Sequence, residues 1–205
     1  ESLILDYNGQ PVIGFIHKSN DEIKIFRKNG GNWSQESVVS GQTEDDVALA
    51  REGNNELVFF FDADERGLAL ATKPISGSNW SVSLIDTASA VVGDQPRPRV
   101  AADGTLHVAY VDISRSLIKY GVRTPGGTWE LSEVTPDFEF NPTTIDLALD
   151  TLDQPLIAFR DAFVDSIFLA EWNGTAWESD LVEGESADFT GVDLNLVISD
   201  LNSPW

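Results

Sequence analysis

Apolar and polar positions alternate along this chain in short runs. In Glu22–Lys28, Ile23 and Ile25 fall on one side while Lys24 and Phe26 fall on the other. A period of two is the mark of a β-strand, because successive side chains leave opposite faces. Similar runs follow throughout: Ser2–Asp6, Pro11–His17, Trp33–Val39, Glu56–Asp62, Leu106–Asp112 and Pro155–Asp161. Each is rich in β-branched and aromatic residues and bounded by turn formers such as Asn8-Gly9 and Asn29-Gly30-Gly31. No segment keeps helical spacing for more than one turn, so the pattern predicts an all-β protein.

The runs repeat. Trp33, Trp80, Trp129 and Trp177 are spaced by 47, 49 and 48 residues, each just after a small-residue turn. Val38, Ile85, Val134 and Val182 stand five positions beyond them, and Phe15, Phe60, Tyr110 and Phe159 hold equivalent places in the second run of each unit. A period of 40–50 residues built from short strands predicts a β-propeller, with one four-stranded antiparallel blade per repeat. The units are approximately 1–45, 46–95, 96–143 and 144–191, within a single domain or segment. A partial fifth unit, 192–205, starts with the first strand of another blade: Leu201-Asn-Ser-Pro204 matches Leu152-Asp-Gln-Pro155. The expectation divides three ways: a segment of a larger ring, a compact four-bladed ring with the extra strand at its seam, or a ring completed by a homo-oligomer.

The unit Asp103-Gly104-Thr-Leu-His-Val-Ala-Tyr110-Val-Asp112, then Leu117-Ile-Lys-Tyr120, then Gly127-Thr-Trp129, resembles a tandem repeat of bacterial β-propeller proteins, mostly secreted or surface-attached. The turn before each Trp is distantly similar to the Asp-box of sialidase-type propellers, although Arg27-Lys-Asn-Gly-Gly-Asn-Trp33 lacks its serine and aspartate. The resemblance implies the fold and an extracellular or cell-surface location. It implies no sialidase activity.

Charge narrows the partners. The net charge is −21, and beyond residue 143 thirteen Asp and Glu face a single cation, Arg160. Such a surface repels phosphate backbones and disfavours nucleic acid. No apolar run of membrane-spanning length occurs, so membrane insertion is not expected. The absence of cysteine removes disulfides, thiolate metal sites and cysteine nucleophiles.

Candidate chemistry is sparse. Asp62, Asp112 and Asp161 close the second run of their units, with His17 at that place in unit one. They can ring a ligand, or cap turns by accepting backbone N–H bonds. Asp62-Ala-Asp64-Glu65-Arg-Gly67 opens like a calcium loop, making Asp62 and Asp64 the metal candidates and calcium the one candidate cofactor, but no late glutamate completes it. Periodic tryptophans can be sugar-stacking plates or seam packing. Trp172 is not periodic and is the better exposed candidate. His17 and His107 lie in non-adjacent units, with no sign that they converge. Arg51, Arg97, Arg99 and Arg115 and Tyr7, Tyr110 and Tyr120 show no spacing that ties them into a catalytic site.

Alternating strands send the second-to-third turns and the inter-blade linkers to one face. These longer segments are Ser40–Asp45, Thr87–Gln95, Pro136–Thr143 and Glu183–Gly191, and variable loops on a rigid scaffold are where binding usually sits. The leading expectation is a non-catalytic binding or scaffold module that presents these loops to a protein or glycan partner. The alternative is a carbohydrate-binding lectin with repeated inter-blade sites, and the third is a glycoside hydrolase or lyase-type propeller enzyme.

Overall fold

The computed structural model describes residues 2–41, 43–134, 140–184 and 193–198. Sixteen strands and no helix occupy them. They form four antiparallel sheets, each a simple up-and-down meander. The first sheet holds β1 (Ser2–Leu5), β2 (Pro11–His17), β3 (Glu22–Asn29) and β4 (Asn32–Ser40). The second holds β5 (Thr43–Glu52), β6 (Asn55–Asp62), β7 (Gly67–Pro74) and β8 (Ser81–Asp86). In the third lie β9 (Val92–Val100), β10 (Leu106–Asp112), β11 (Leu117–Arg123) and β12 (Glu130–Val134). The fourth comprises β13 (Pro142–Leu149), β14 (Pro155–Asp161), β15 (Ser166–Trp172) and β16 (Trp177–Glu183). Among the described residues no helix is long and apolar enough to cross a membrane.

The sheets pack face to face in chain order, because alternation gives each two apolar faces. Val12, Ile23 and Ile25 of the first sheet meet Val47, Val58, Phe60 and Ala69 of the second. Leu57, Phe59 and Leu70 turn the other way, onto Leu106, Val108 and Tyr110. Ala109, Val111 and Ile118 then meet Ile145, Ile157 and Phe159 of the fourth sheet. The periodic tryptophans join these layers. Trp80, Trp129 and Trp177 each pack against the seam with the preceding sheet. Trp33, whose sheet has no predecessor among the described residues, is 48% exposed. Leu3 and Leu5 on β1 are exposed as well.

The first strands gather around a common centre. Contacts between them recur at about one repeat: Ser2 Oγ accepts from Leu49 N at 2.9 Å, and Arg97 Nε donates to Ile145 O at 3.1 Å. Residues 193–198 carry no regular strand, but Leu196 N donates to Asp146 Oδ2 at 2.7 Å. They therefore lie beside β13, where a fifth first strand was expected. Residues 192 and 199–205 of that partial unit fall outside the described residues.

The linker from the second sheet to the third is the tightest passage. Gly93, at φ +109°, would place a Cβ 2.5 Å from the backbone of Leu68, so only glycine fits. Beside it a buried polar cluster fastens the two sheets. Asp86 accepts from Lys119 Nζ, from the Tyr110 hydroxyl at 2.7 Å and from Ala88 N at 2.9 Å. Burial opposes ionisation of Asp86, but the bonds from Lys119, Tyr110 and Ala88 outweigh it and hold the carboxyl below its ordinary range.

Breaking a buried pair by removing one partner leaves an uncompensated charge. Lys119→Met is therefore expected to lower stability by about 3–5 kcal/mol in denaturant titration. The deficit should narrow as pH falls and the unpaired Asp86 carboxyl takes up a proton. A variant within about 0.5 kcal/mol of the parent, the usual range for surface substitutions, would show that the pair is not structural.

Candidate ligand cleft between the third and fourth sheets

Three seams join the four sheets, and each holds the same register positions at the end where the short turns lie. Trp33 pairs with Lys28 and Trp177 with Trp172 across their hairpins. Trp80 and Trp129 stand one residue before Ser81 and Glu130, whose partners are Thr72 and Val122. They therefore face Lys73 and Arg123. The partner of the periodic tryptophan is thus basic in three units and Trp172 in the fourth.

Ion pairs cross two seams at this end, and at the first they leave a smaller cleft of about 230 Å³ lined by Arg27, Glu56 and Lys73 among others. At the first, Lys73 Nζ lies 5.0 Å from the Trp80 ring centroid and donates to Glu36 at 2.5 and 2.7 Å. Trp80 Nε1 donates to the same carboxylate at 3.0 Å, and Arg27 pairs with Glu56 alongside. At the second, Arg123 Cζ lies 5.1 Å from the Trp129 ring and its guanidinium meets Glu52 at 2.8 Å. Each tryptophan there carries a cation on its face.

The third seam is open. A cleft of about 380 Å³ lies between the sheets, and its lining includes His107, Tyr120, Ser132, Asp153, Trp172 and Trp177. Trp177 meets Trp172 at 5.6 Å and Tyr120 at 5.2 Å between ring centroids. The other hairpin residues here are specific to these units. Counted from the equivalent aromatics Phe15, Phe60, Tyr110 and Phe159, His107 stands where Val12, Leu57 and Leu156 stand. Tyr120 stands where Ile25, Leu70 and Leu169 stand, one pair before those aromatics.

Two buried polar atoms in the cleft have no protein partner. His107 is 6% exposed, and its Nδ1 is hydrogen-bonded to the Tyr120 hydroxyl while Nε2 is unpaired. Trp177 Nε1 is also buried and unpaired. The register explains the second. Glu36, which receives the Trp80 indole N–H, is opposite Ile25, and the residue opposite Tyr120 is Ser132, whose side chain is shorter. Burial lowers the pKa of His107, and the carboxylates Asp153 and Asp103 only partly offset it, so the imidazole is neutral at pH 7. Burial likewise raises the pKa of Tyr120 and keeps its hydroxyl protonated.

The positions singled out in the sequence are placed differently. Asp62, Asp112 and Asp161 are buried at turns. Asp62 Oδ1 accepts from Asp64 N and Glu65 N, Asp112 Oδ1 from Arg115 N, and Asp161 Oδ1 from Phe163 N and Asn141 N. His17 is exposed, with Nδ1 against Asn20 and Ser19. Asp64 lies on the exposed part of the turn that Asp62 caps. Among the described residues no three His, Asp or Glu side chains converge as a metal-ligand group. Arg51, Arg97 and Arg99 do meet, around a central cavity of about 690 Å³, but Arg97 is paired with Asp46 and Arg99 with Asp146, and no tyrosine lines it. Of the ligand candidates only Trp172 reaches the cleft. The linker segments of the opposite face lie partly outside the described residues.

No protein-family model matches the sequence, and no curated protein sequence matches it. Solved structures do. A protein of unknown function from Dyadobacter fermentans superposes with a TM-score of 0.68 at 13% identity, over 88% of this chain and 67% of its own. AofleA from Arthrobotrys oligospora gives 0.67 at 12% identity, over 87% and 55%. The fold is β-propeller-like. An intramolecular trans-sialidase from Ruminococcus gnavus, in complex with oseltamivir carboxylate, gives 0.50 at 14% identity, over 79% and 41%. This chain thus spans between two fifths and two thirds of the length of these propeller-like neighbours, and at such identities the likeness is one of fold alone.

The signal for the cleft was present in the sequence as a break in the repeat: Lys28, Lys73 and Arg123 give way to Trp172. His107 and Tyr120 break it too. What was missing was the knowledge that their faces share one seam.

Because the folded chain holds His107 below its ordinary pKa of about 6.5, the unfolded chain takes up a proton first as pH falls, and the folded state loses stability there. His107→Gln removes that term. The stability advantage of the parent over His107→Gln should shrink from pH 7.5 to pH 5 in denaturant titrations; a pH-independent difference would contradict a buried neutral imidazole.

Proposed function

We propose that this chain is a non-catalytic carbohydrate-binding module, with the cleft between the third and fourth sheets as its site. The observation that carries the reading is the pair of buried, unpartnered groups, His107 Nε2 and Trp177 Nε1, beside two tryptophan rings. A buried polar group without a partner costs about 1–3 kcal/mol, and an occupant that supplies the partner recovers it. A hydroxyl both donates and accepts, so it satisfies His107 Nε2 whichever nitrogen carries the proton, and its oxygen accepts from the Trp177 indole. A saccharide offers hydroxyls on its edge and an apolar C–H face for Trp172. A trans-sialidase among the propeller-like neighbours lends support, since its scaffold is of this kind. Among the described residues the set His107, Tyr120, Trp172 and Trp177 is not repeated at the other two seams, which sets the site apart from a lectin with one site per blade.

A panel of monosaccharides and short oligosaccharides, followed by the indole NMR signals of Trp172 and Trp177, tests this. Trp172→Ala is expected to weaken the binding of a hit by at least about tenfold, the scale of one stacking contact. Ser132→Glu gives Trp177 the acceptor that Glu36 gives Trp80 and fills the cleft, so it should abolish binding without loss of stability. A panel in which no sugar moves either indole signal overturns the reading.

A further inference from the structure

We propose that the saccharide is positively charged, an amino sugar whose protonated amine supplies the cation that Lys73 and Arg123 supply in the other two seams; this rests on reading the cleft as a saccharide site. The register carries the argument. In the first two seams the periodic tryptophan is covered by a basic side chain held by a carboxylate. In the third the chain has replaced the base by Trp172; the Glu36 position is already serine in the second sheet, Ser83, as it is in the third, Ser132. The lining then holds no Lys or Arg, and the aromatic faces stand without a cation.

Carboxylates have not left the seam; they have moved to its lining. Glu130, opposite Val122, occupies the position of Ser34 opposite Arg27 and of Ser81 opposite Thr72. Asp153 is the more telling. In the turns Asp6–Pro11, Ala101–Leu106 and Asp150–Pro155 it aligns with Gly9 and Gly104, which sit at φ +69° and +88°. Asp153 adopts φ +58° there. Aspartate tolerates the left-handed region, as Asp21 and Asp165 do at φ +49°, so the turn is kept while a carboxylate is added. Asp153 lines the cleft and bears electrostatically on His107. Among the described residues neither Glu130 nor Asp153 has a Lys or Arg within ion-pair distance.

The groups facing the ligand are therefore two carboxylates, a neutral imidazole, a protonated phenol and two indole rings. That set attracts an ammonium through the carboxylates and the ring faces and repels a uronate or sialate. A lysine side chain of a partner protein would satisfy the charge but brings no acceptor for Trp177 Nε1. The hydroxyls of an amino sugar do.

Titrations of the intact chain with D-glucosamine, D-glucose and D-glucuronate at pH 6.5 decide it, read by calorimetry and by the two indole signals. Glucosamine is expected to bind about tenfold more tightly than glucose, a single cation–aromatic contact with carboxylate help, and glucuronate not at all. Added salt should narrow the preference. Glu130→Gln with Asp153→Gly should bring the ratio of glucosamine to glucose affinity to about one, and the glycine matches the sister turns, so the fold is kept. Equal affinity for glucosamine and glucose overturns the charge assignment and leaves the saccharide site standing. Lysinamide binding more tightly than glucosamine overturns it in favour of a protein side chain. No binding of any sugar overturns the site itself.

Discussion

Each sheet of this chain has two apolar faces, and neither can be left in water without losing the burial energy that orders its strands. Phe59 turns toward the third sheet and Phe60 toward the first, and the same division runs through each meander. The solution is to stack the sheets, so that the second and the third each stand between two others. That requirement fixes the rest. It draws the first strands together around a polar centre, it sends the outer strands into solvent, and it makes each seam a contact between equivalent positions one repeat apart. Where a seam has no neighbour among the described residues, as at the outward face of the first sheet, Leu3, Leu5 and Trp33 are exposed.

The short-turn end of a seam is a place where burial and polarity compete. The second and third sheets answer with a tryptophan, a base on its face and a carboxylate to receive the base. The fourth answers with a second tryptophan. Replacing a buried ion pair by apolar residues is often neutral for stability, so the change is tolerated. It leaves behind a buried histidine nitrogen and an indole N–H without protein partners, in a cleft whose lining includes Tyr120, Trp172 and Trp177 and the carboxylates Glu130 and Asp153. The site we propose is thus an exception within a repeat, made by the few positions where one unit departs from its sisters.

Much of this was legible in advance. The alternation of Ile23 and Ile25 with Lys24, and the spacing of the four periodic tryptophans, located strands and units, because side-chain direction and repeat length are properties of the chain itself. The turn aspartates Asp62, Asp112 and Asp161 were weighed both as ligand groups and as caps, and in the structure their oxygens receive backbone N–H bonds. The longer linkers looked the more promising place for a site. The cleft instead opens at the end with the short turns, since its walls come from strand ends and not from loop length.

What the sequence by itself determined is local: period-two faces, turn positions, the repeat, and the break at Trp172. Period two also sets His107 on the face opposite Leu106, and in the structure Leu106 packs toward the second sheet while His107 lines the cleft toward the fourth. The sequence could not say what lies on that side. Only the stacking of sheets decided that His107, Tyr120, Asp153, Trp172 and Trp177, separated by up to 70 residues, meet in one seam. The physical reason is that burial depends on the partner surface, and the partner of each face is another sheet whose position no local pattern encodes.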